Sequence, residues 1–364
     1  METGIPDYGA VFQALLNGAA RFSWDGGAML AVACLFVAAV ARRSGLIYAI
    51  PVGFGAVLAN IPFSAAASRL PGAEGFLTAL FNFGISYEIF PVLLLFTIGT
   101  SCDFSPVIRR PGLLLVALAS QSAVLAAVWG GVYFGLPLGR AVAVGLACTL
   151  DGPTAVYVAS RVAAGYTGLT ALLTCGLAAV WPAIGAAMAR LVSGPGEIDS
   201  NPDGFRQPTS RRARLFFPVA VTLLAAAAAP PAASLVGSLM AGNLLREAGH
   251  DTRLARFWQG PGAAIAAVLF GLAAGGALDG QRVGLADLAI AAVVGLPTLV
   301  LATAFGIFAT KMINAALKNR LPLLAGTHSL AVFPCSRRDF SDVYGAGQIV
   351  SALLGSVLVN FLLL

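Results

Sequence analysis

Apolar stretches follow one another along almost the whole chain, at residues 27–41, 45–61, 89–99, 112–136, 139–150, 167–192, 215–229, 232–245, 263–278, 283–309, 321–335 and 345–364. A helical crossing of a bilayer needs about 20 apolar residues, so roughly ten spans or partial spans fit. Every backbone N–H and C=O in hydrocarbon needs an internal partner, and successive apolar runs meet that need as α-helices. The composition agrees: 58% of the residues are hydrophobic and 10% charged, against about 45–50% and about 25% in soluble domains. A soluble globular enzyme is excluded. The expected fold is an all-α polytopic membrane protein whose main partner is the lipid bilayer.

The chain carries a net charge of +6, and its basic residues, nearly all arginine, sit mostly between the apolar runs. That placement reads as membrane topology and not as nucleic-acid binding. Cys34, Cys102, Cys148, Cys175 and Cys335 are scattered, with no CxxC spacing, so neither a disulfide framework nor a zinc site is expected. Residues 1–25 carry acidic groups, and no small-residue cleavage site precedes Arg42 and Arg43; a retained segment is expected here, not a signal peptide. The 42 glycines and 20 prolines suit membrane helices that pack closely or break where backbone lines a polar cavity.

The polar stretch 193–214, rich in Gly, Pro, Asn and Asp and ending in arginines, divides the chain into a first transmembrane repeat, 1–192, and a second, 215–364. The halves echo one another. VGFGAVLAN ending at Asn60 is matched by VGSLMAGN ending at Asn243, and IGTSCD at Asp103 by AAGGALD at Asp279. Each half then carries an interrupted apolar segment, TLDGPTAVY around Asp151 and LAGTHSLAVFP around Gly326, which follow the two asparagines by 91 and 83 residues. Interrupted segments at corresponding places in two halves point to a transporter site, where two broken helices meet near the bilayer midplane.

Asp151 is the most informative residue. Twelve residues of helix before it, 139–150, span about 18 Å, enough to set it near the middle of a core about 30 Å thick. An ionised carboxylate there is costly unless it is paired, hydrated or bound to a cation. Pro153 and Gly152 account for the break, and Asp151 or Thr154 can cap the helix that follows. Two readings stand: a cap satisfied by backbone N–H groups, or a cation or proton site. At the second interruption Gly326, Thr327, His328 and Ser329 offer hydroxyls, an imidazole and freed carbonyls, oxygen ligands of the kind a hard cation such as sodium takes. His328 reads as a proton relay or as a hydrogen-bonded filler, and Arg337 and Arg338 read as a membrane boundary. Asp103, before Ser-Pro, reads as a turn or cap, Glu88 as interfacial, and Asn60 and Asn243 as helix ends. The chain has no catalytic triad, P-loop, HExxH or dinucleotide fingerprint.

IPVGFGAVLANIP (50–62), IGTSCDFSP (98–106), DGPTAVYVASR (151–161), MAGNLLREAG (240–249), ATKMINAALKNR (309–320) and the segment 321–364 together resemble the β subunits of sodium-translocating, biotin-dependent decarboxylases acting on oxaloacetate, glutaconyl-CoA or methylmalonyl-CoA. The resemblance covers nearly the whole chain. It implies two inverted repeats forming a scaffold and a mobile, elevator-like core. It also implies a multi-pass subunit in the inner membrane of a prokaryote that takes carboxybiotin from a biotin-carrying carboxyltransferase subunit. Release of carbon dioxide, with uptake of a proton, would then drive sodium ions outward. A small membrane γ-type subunit and a homo-oligomeric assembly are expected partners, and sodium ion and partner-borne carboxybiotin are the expected cofactors.

By the same resemblance Asp151 matches the essential aspartate of DGPT, Gly326 the second-repeat glycine and Arg338 the arginine of its motif, with Pro182 and Pro334 in register. Asp151 and Arg338 are thus the expected catalytic residues, and Asp151, Thr154, Gly326, Thr327 and Ser329 the expected sodium-binding ones. Three positions depart from the pattern: Pro322 stands for an asparagine, Ala331 for a serine and Leu177 for a tyrosine. Either the ion site is rebuilt around Thr327, His328 and Ser329, or the chain is a secondary cation- or proton-coupled transporter without decarboxylase coupling. A non-transporting membrane scaffold with Asp151 as an internal cap is the third reading.

Overall fold

The computed structural model describes residues 24–41, 47–61, 65–67, 69–70, 73–192, 209–249, 252–316, 321, 323–327, 330 and 341–363. They are almost wholly helical. The only strands among them are a two-residue antiparallel ladder, Arg69–Leu70 against Ala73–Glu74. Among the described residues, six helical stretches are long and apolar enough to cross a membrane: Trp24–Ala41, Gly112–Tyr133, Ala164–Val192, Arg253–Gly276, Leu285–Ala316 and Gly345–Leu363. A seventh crossing is available to the pair Phe76–Ser86 and Ile89–Ser101, which bends by 60°. Glu88, held in the left-handed conformation at φ 67°, stands at that bend.

The helices sort into two packed groups, each drawing one block from each half of the chain. The first holds α1 (Trp24–Ala41), α2 (Ala49–Asn60), α3 (Phe76–Phe81) and α4 (Ile89–Ser101). A short α5 (Ser105–Arg109) leads from α4 to the second group, which opens with α6 (Gly112–Gln121), α7 (Ala123–Tyr133), α8 (Leu138–Ala147), α9 (Gly152–Val162) and α10 (Thr167–Val192). In the second half, α11 (Arg211–Ala228), α12 (Ala232–Ala248), α13 (Thr252–Gln259) and α14 (Pro261–Gly276) join the first group. The second group is completed by α15 (Leu285–Ala316), α16 (Leu324–Thr327) and α17 (Ser341–Leu363). The arginines that close the polar stretch therefore begin α11, whose first turn Ser210 caps by accepting from the Ala213 N–H at 3.3 Å.

Within both groups the halves exchange partners reciprocally. α2 packs on α14 while α4 packs on α12; α6 packs on α17 while α10 packs on α15. The first two crossings are close because glycine sits in them. A Cβ on Gly99 would fall on the Leu239 carbonyl, and one on Gly242 on that of Phe96; Gly55 and Gly275 occupy the matching crossing, against Leu272 and Val52. Small residues that let helix backbones touch are the usual means of association in lipid, where apolar burial alone gives no preference for a neighbouring helix.

Asn60 and Asn243, expected to be no more than helix ends, close these crossings. The Asn60 amide donates to Ala56 O at 2.8 Å and to Leu278 O at 2.7 Å, and its oxygen accepts from the Gly280 N–H at 2.9 Å. The Asn243 amide donates to Cys102 O at 3.2 Å. Leu278 and Cys102 are the residues immediately before Asp279 and Asp103, so each asparagine satisfies the carbonyl that ends a helix of the opposite half. Arg246 also donates to Cys102 O.

Replacing Asn60 by Leu leaves two groups of the other half unpaired, at a cost of about 2–4 kcal/mol. Asn243→Leu, where Arg246 still covers the carbonyl, costs about 1 kcal/mol. Thermal denaturation of the two detergent-solubilised variants should rank them in that order.

Candidate functional site

The break expected at Asp151 is present, and the way its backbone is satisfied determines what remains for a ligand. α8 stops at Ala147, and its terminal carbonyls are consumed at once. Gly145 O accepts from the Cys148 N–H at 3.1 Å, Leu146 O from the Thr149 N–H at 3.0 Å and hydroxyl at 2.7 Å, and Ala147 O from the Leu150 N–H at 3.2 Å. Leu150 turns the chain with a left-handed φ of 62°. A side chain larger than glycine rarely rests there, and such strain persists where surrounding packing imposes it. α9 then starts at Gly152, with Pro153 in its first turn, where a missing N–H costs nothing.

Asp151 is fully buried and is the N-cap of α9. One carboxylate oxygen, Oδ1, accepts from the Thr154 N–H at 3.4 Å, so the cap expected from the sequence exists. The other, Oδ2, has no hydrogen-bond partner among the described residues, and neither does the Thr154 hydroxyl. The cap therefore accounts for half of the carboxylate. The hydroxyls of Thr154 and of Ser351, on α17, face it. Ser351 donates to Thr149 Oγ1 at 3.2 Å, and the Asp151 N–H is 3.4 Å from that same oxygen. Thr149 is thus saturated, whereas Ser351 keeps lone pairs free.

The Asp151 carboxyl group and the hydroxyls of Thr154 and Ser351 thus come together as a half-shell of oxygens at the start of α9. Hard cations take oxygen donors of this kind, and buried carboxylates in membrane helices mark ion or proton pathways. α2 of the first group closes the other side of the break, where Tyr48 is wedged against the start of α9. A Cβ on Gly152 would lie 2.6 Å from the Tyr48 hydroxyl oxygen, and the Tyr48 ring meets Phe270 edge-on at 5.7 Å. Among the described residues no cluster of three His, Cys, Asp or Glu side chains could hold a transition metal. The four described cysteines are free, and Cys335 lies outside the described residues.

Gly326 and Thr327 have a different set of neighbours. They end α16, where a Cβ on Gly326 would meet the backbone of Gly306 and Ile307 on α15 at 2.5 Å, and Thr327 adjoins Gly185 of α10. His328, Ser329 and Arg338 lie outside the described residues, as do Pro322, Ala331 and Pro334. Leu177 and Pro182 are both on α10, and Leu177 is buried toward Gly295 of α15. Asp103 forms the expected turn, accepting from the Ser105 N–H at 2.9 Å. Glu88 is ion-paired to Arg161, which also sits over the Tyr157 ring, and so links α4 of the first group to α9 of the second.

Sequence reasoning missed Thr149, Ser351 and Tyr48. Ser351 has a visible signal, a hydroxyl spaced three residues from Gln348 in an otherwise apolar run. Tyr48 has none, since only the fold brings it to the break.

The architecture and site define a multi-pass α-helical membrane protein with a carboxylate buried at a helix break. The sequence profile of the Na+-transporting oxaloacetate decarboxylase beta subunit family matches residues 26–354, and the chain belongs to that family. It is 30% identical over 344 residues to the methylmalonyl-CoA decarboxylase subunit beta of Veillonella parvula, covering 93% of this chain and 89% of that one. It is 32% identical over 240 residues to the glutaconyl-CoA decarboxylase subunit beta of Acidaminococcus fermentans, covering 65% and 62%. Against the oxaloacetate decarboxylase beta chain 2 of Salmonella typhi it is 28% identical over 302 residues, covering 78% and 70%. The resemblance drawn from the motifs is borne out.

Because the Thr154 hydroxyl forms no hydrogen bond with a described residue, Thr154→Val should leave the thermal midpoint within about 1 °C or raise it, since no bond is lost. If Thr154 is one of the sodium-binding residues, as the resemblance implies, the same substitution should weaken sodium binding about tenfold, the effect of losing one oxygen to a charged partner. Melting curves with and without sodium chloride measure both.

Proposed function

We propose that this chain is the membrane subunit of a sodium pump, coupling decarboxylation of carboxybiotin on a partner subunit to sodium export, and that Asp151 is the exchange site. The observation that carries the reading is the fully buried Asp151, whose Oδ2 is left over after the helix cap is made and whose carboxyl group faces two hydroxyls. As a carboxylate it holds a sodium ion with Thr154 and Ser351; as an acid it holds a proton. In the chemical step the N–C bond of carboxybiotin breaks, carbon dioxide leaves, and the ring nitrogen takes a proton. That proton uptake and the release of sodium from Asp151 form one exchange.

In this proposal residues 1–192 and 215–364 are inverted repeats joined by the 193–214 linker. The first helix group is the scaffold, and the second, which carries the break, is the mobile elevator-like core. The reciprocal pairings of α2 with α14 and α4 with α12 support it, as do the two asparagines that each cap the opposite half. Gly326, Thr327 and Ser329 line the second break, His328 relays protons there, and Arg338 meets the carboxylated partner. The assembly stands in a prokaryotic inner membrane with a biotin-carrying carboxyltransferase subunit, a γ-type subunit and further copies of the chain.

Reconstitution in vesicles with a carboxyltransferase and its biotin carrier tests this. Decarboxylation should require sodium, and Asp151→Asn should lose decarboxylation together with sodium-22 transport. Sodium-independent decarboxylation, or full activity in Asp151→Asn, would overturn the reading. The pH dependence has a definite sign: the charged carboxylate binds sodium and the protonated one does not, so the sodium-induced rise in melting temperature is present at neutral pH. It should shrink as pH falls through the titration of Asp151, and be absent at every pH in Asp151→Asn.

A further inference from the structure

One buried acceptor lies outside the half-shell at Asp151. Gln121, the last residue of α6, is 1% exposed. Its Nε2 donates to Gly347 O, on α17, at 2.7 Å. A carbonyl can only accept, so this bond fixes the amide orientation and turns Oε1 away from Gly347. Oε1 is buried with no hydrogen-bond partner among the described residues. Tying α6 to α17 explains the nitrogen. It does not explain the oxygen.

The position of Gln121 along α17 relates that oxygen to Asp151. Gly347 is four residues, about 6 Å of helix rise, before Ser351. Ser351 faces the carboxylate and donates to Thr149. Gly355 follows by four more residues and packs on Thr154, whose Cγ2 would lie 2.5 Å from a Cβ placed there. Gln348, also buried, shares a face with Ser351 at a spacing of three. Three successive turns of α17 thus meet, in order, Gln121, the carboxylate with its hydroxyls, and Thr154.

We propose that the Gln121 amide oxygen is a further cation ligand, a neutral station one helix turn along α17 from Asp151 on the path a dehydrated sodium ion takes to or from the carboxylate. The inference rests on Asp151 being a cation site. A neutral amide suits a station: it offers a dipole strong enough to replace a hydration water, yet too weak to trap an ion, and conduction between neighbouring sites needs both properties. A second carboxylate there would hold the ion.

The test compares Gln121→Met, which keeps the volume and removes the oxygen, with Gln121→Glu, which keeps an oxygen and can add charge. Asp151→Asn serves as the control, and the probe is sodium chloride alone. Sodium-22 binding and uptake are measured on the folded, monodisperse fraction of each variant. Gln121→Met should take up sodium about tenfold more slowly, the effect of losing one oxygen to a charged partner. Gln121→Glu should bind sodium at least as tightly as the parent and release it more slowly.

Uptake by Gln121→Met within about twofold of the parent, a change small beside the loss of such an oxygen, overturns the station. If Asp151→Asn also binds sodium normally, the reading of the carboxylate site fails with it; if Asp151→Asn has lost binding, the station alone fails. Should Gln121→Met not fold, crystals of the unaltered protein soaked in thallium acetate decide the question. An anomalous peak at coordinating distance from Gln121 Oε1 supports the proposal, and a peak confined to Asp151 overturns it.

Discussion

A helix that stops inside hydrocarbon must find partners for its open backbone groups, because no water is there to supply them. Much of this site follows from how the break at 148–151 meets that demand. Cys148, Thr149 and Leu150 fold back to satisfy the last carbonyls of α8, which forces Leu150 into a left-handed turn and delivers Asp151 to the start of α9. The capping bond needs one carboxylate oxygen. The second oxygen is surplus to backbone accounting, and it faces hydroxyls whose own needs differ. Thr149 is saturated, Ser351 is partly used, and the Thr154 hydroxyl is unused by any described residue.

The break belongs to one packed group of helices and touches the other, and this placement joins chemistry to motion. Tyr48 of the first group presses on Gly152, and Glu88 of the first group pairs with Arg161 at the far end of α9. The half-helix that carries Asp151 is therefore gripped by the opposite group at both ends. A shift of one group against the other changes both contacts together, whereas the bonds that form the half-shell come from α9, α17 and the Thr149 turn, all within the second group. In the proposed elevator the half-shell would stay intact while these contacts are exchanged. The asparagine caps at 60 and 243 act inside the first group alone and leave such a shift unopposed.

Much of this was legible in the sequence, because membrane constraints act locally. A carboxylate followed by Gly-Pro-Thr inside an apolar run announces a broken helix, and the turn at Asp103 follows from Asp before Ser-Pro. Paired motifs were visible in the two halves, and Asn60 and Asn243 were noticed as ends. Their role was not legible, because a helix-terminal asparagine looks the same whether it bonds water or a carbonyl of the other half. Ser351 and Tyr48 escaped for the same reason: they lie 200 residues after and 103 residues before Asp151, and only tertiary packing brings them to it. The second break illustrates the opposite case. Gly326 was singled out as a cation-binding residue, whereas the contact the fold shows for it is close packing on Gly306 and Ile307 of α15.

Leu177 gives the proposed site a direction. Leu177 is buried against Gly295, and the thiol of Cys148, at the root of the break, lies between its own helix and the Gly295 carbonyl, 3.3 Å from Val144 O and 3.7 Å from Gly295 O. The α10 and α15 side of the break is therefore walled by leucine, glycine and a thiol that is occupied locally. Thr170 and Thr174 further along α10 return their hydroxyls to their own helix, at 2.9 and 2.8 Å. No oxygen on that side is offered to an ion by these groups. On the α17 side the order is reversed: Ser351 donates its hydroxyl to Thr149 and keeps its oxygen beside the carboxyl group, and Thr154 packs on Gly355 with its hydroxyl unspent. A dehydrated cation follows oxygens, since each one lost must be replaced, so the proposed ion site has an apolar flank at Leu177 and its oxygens on the α17 side.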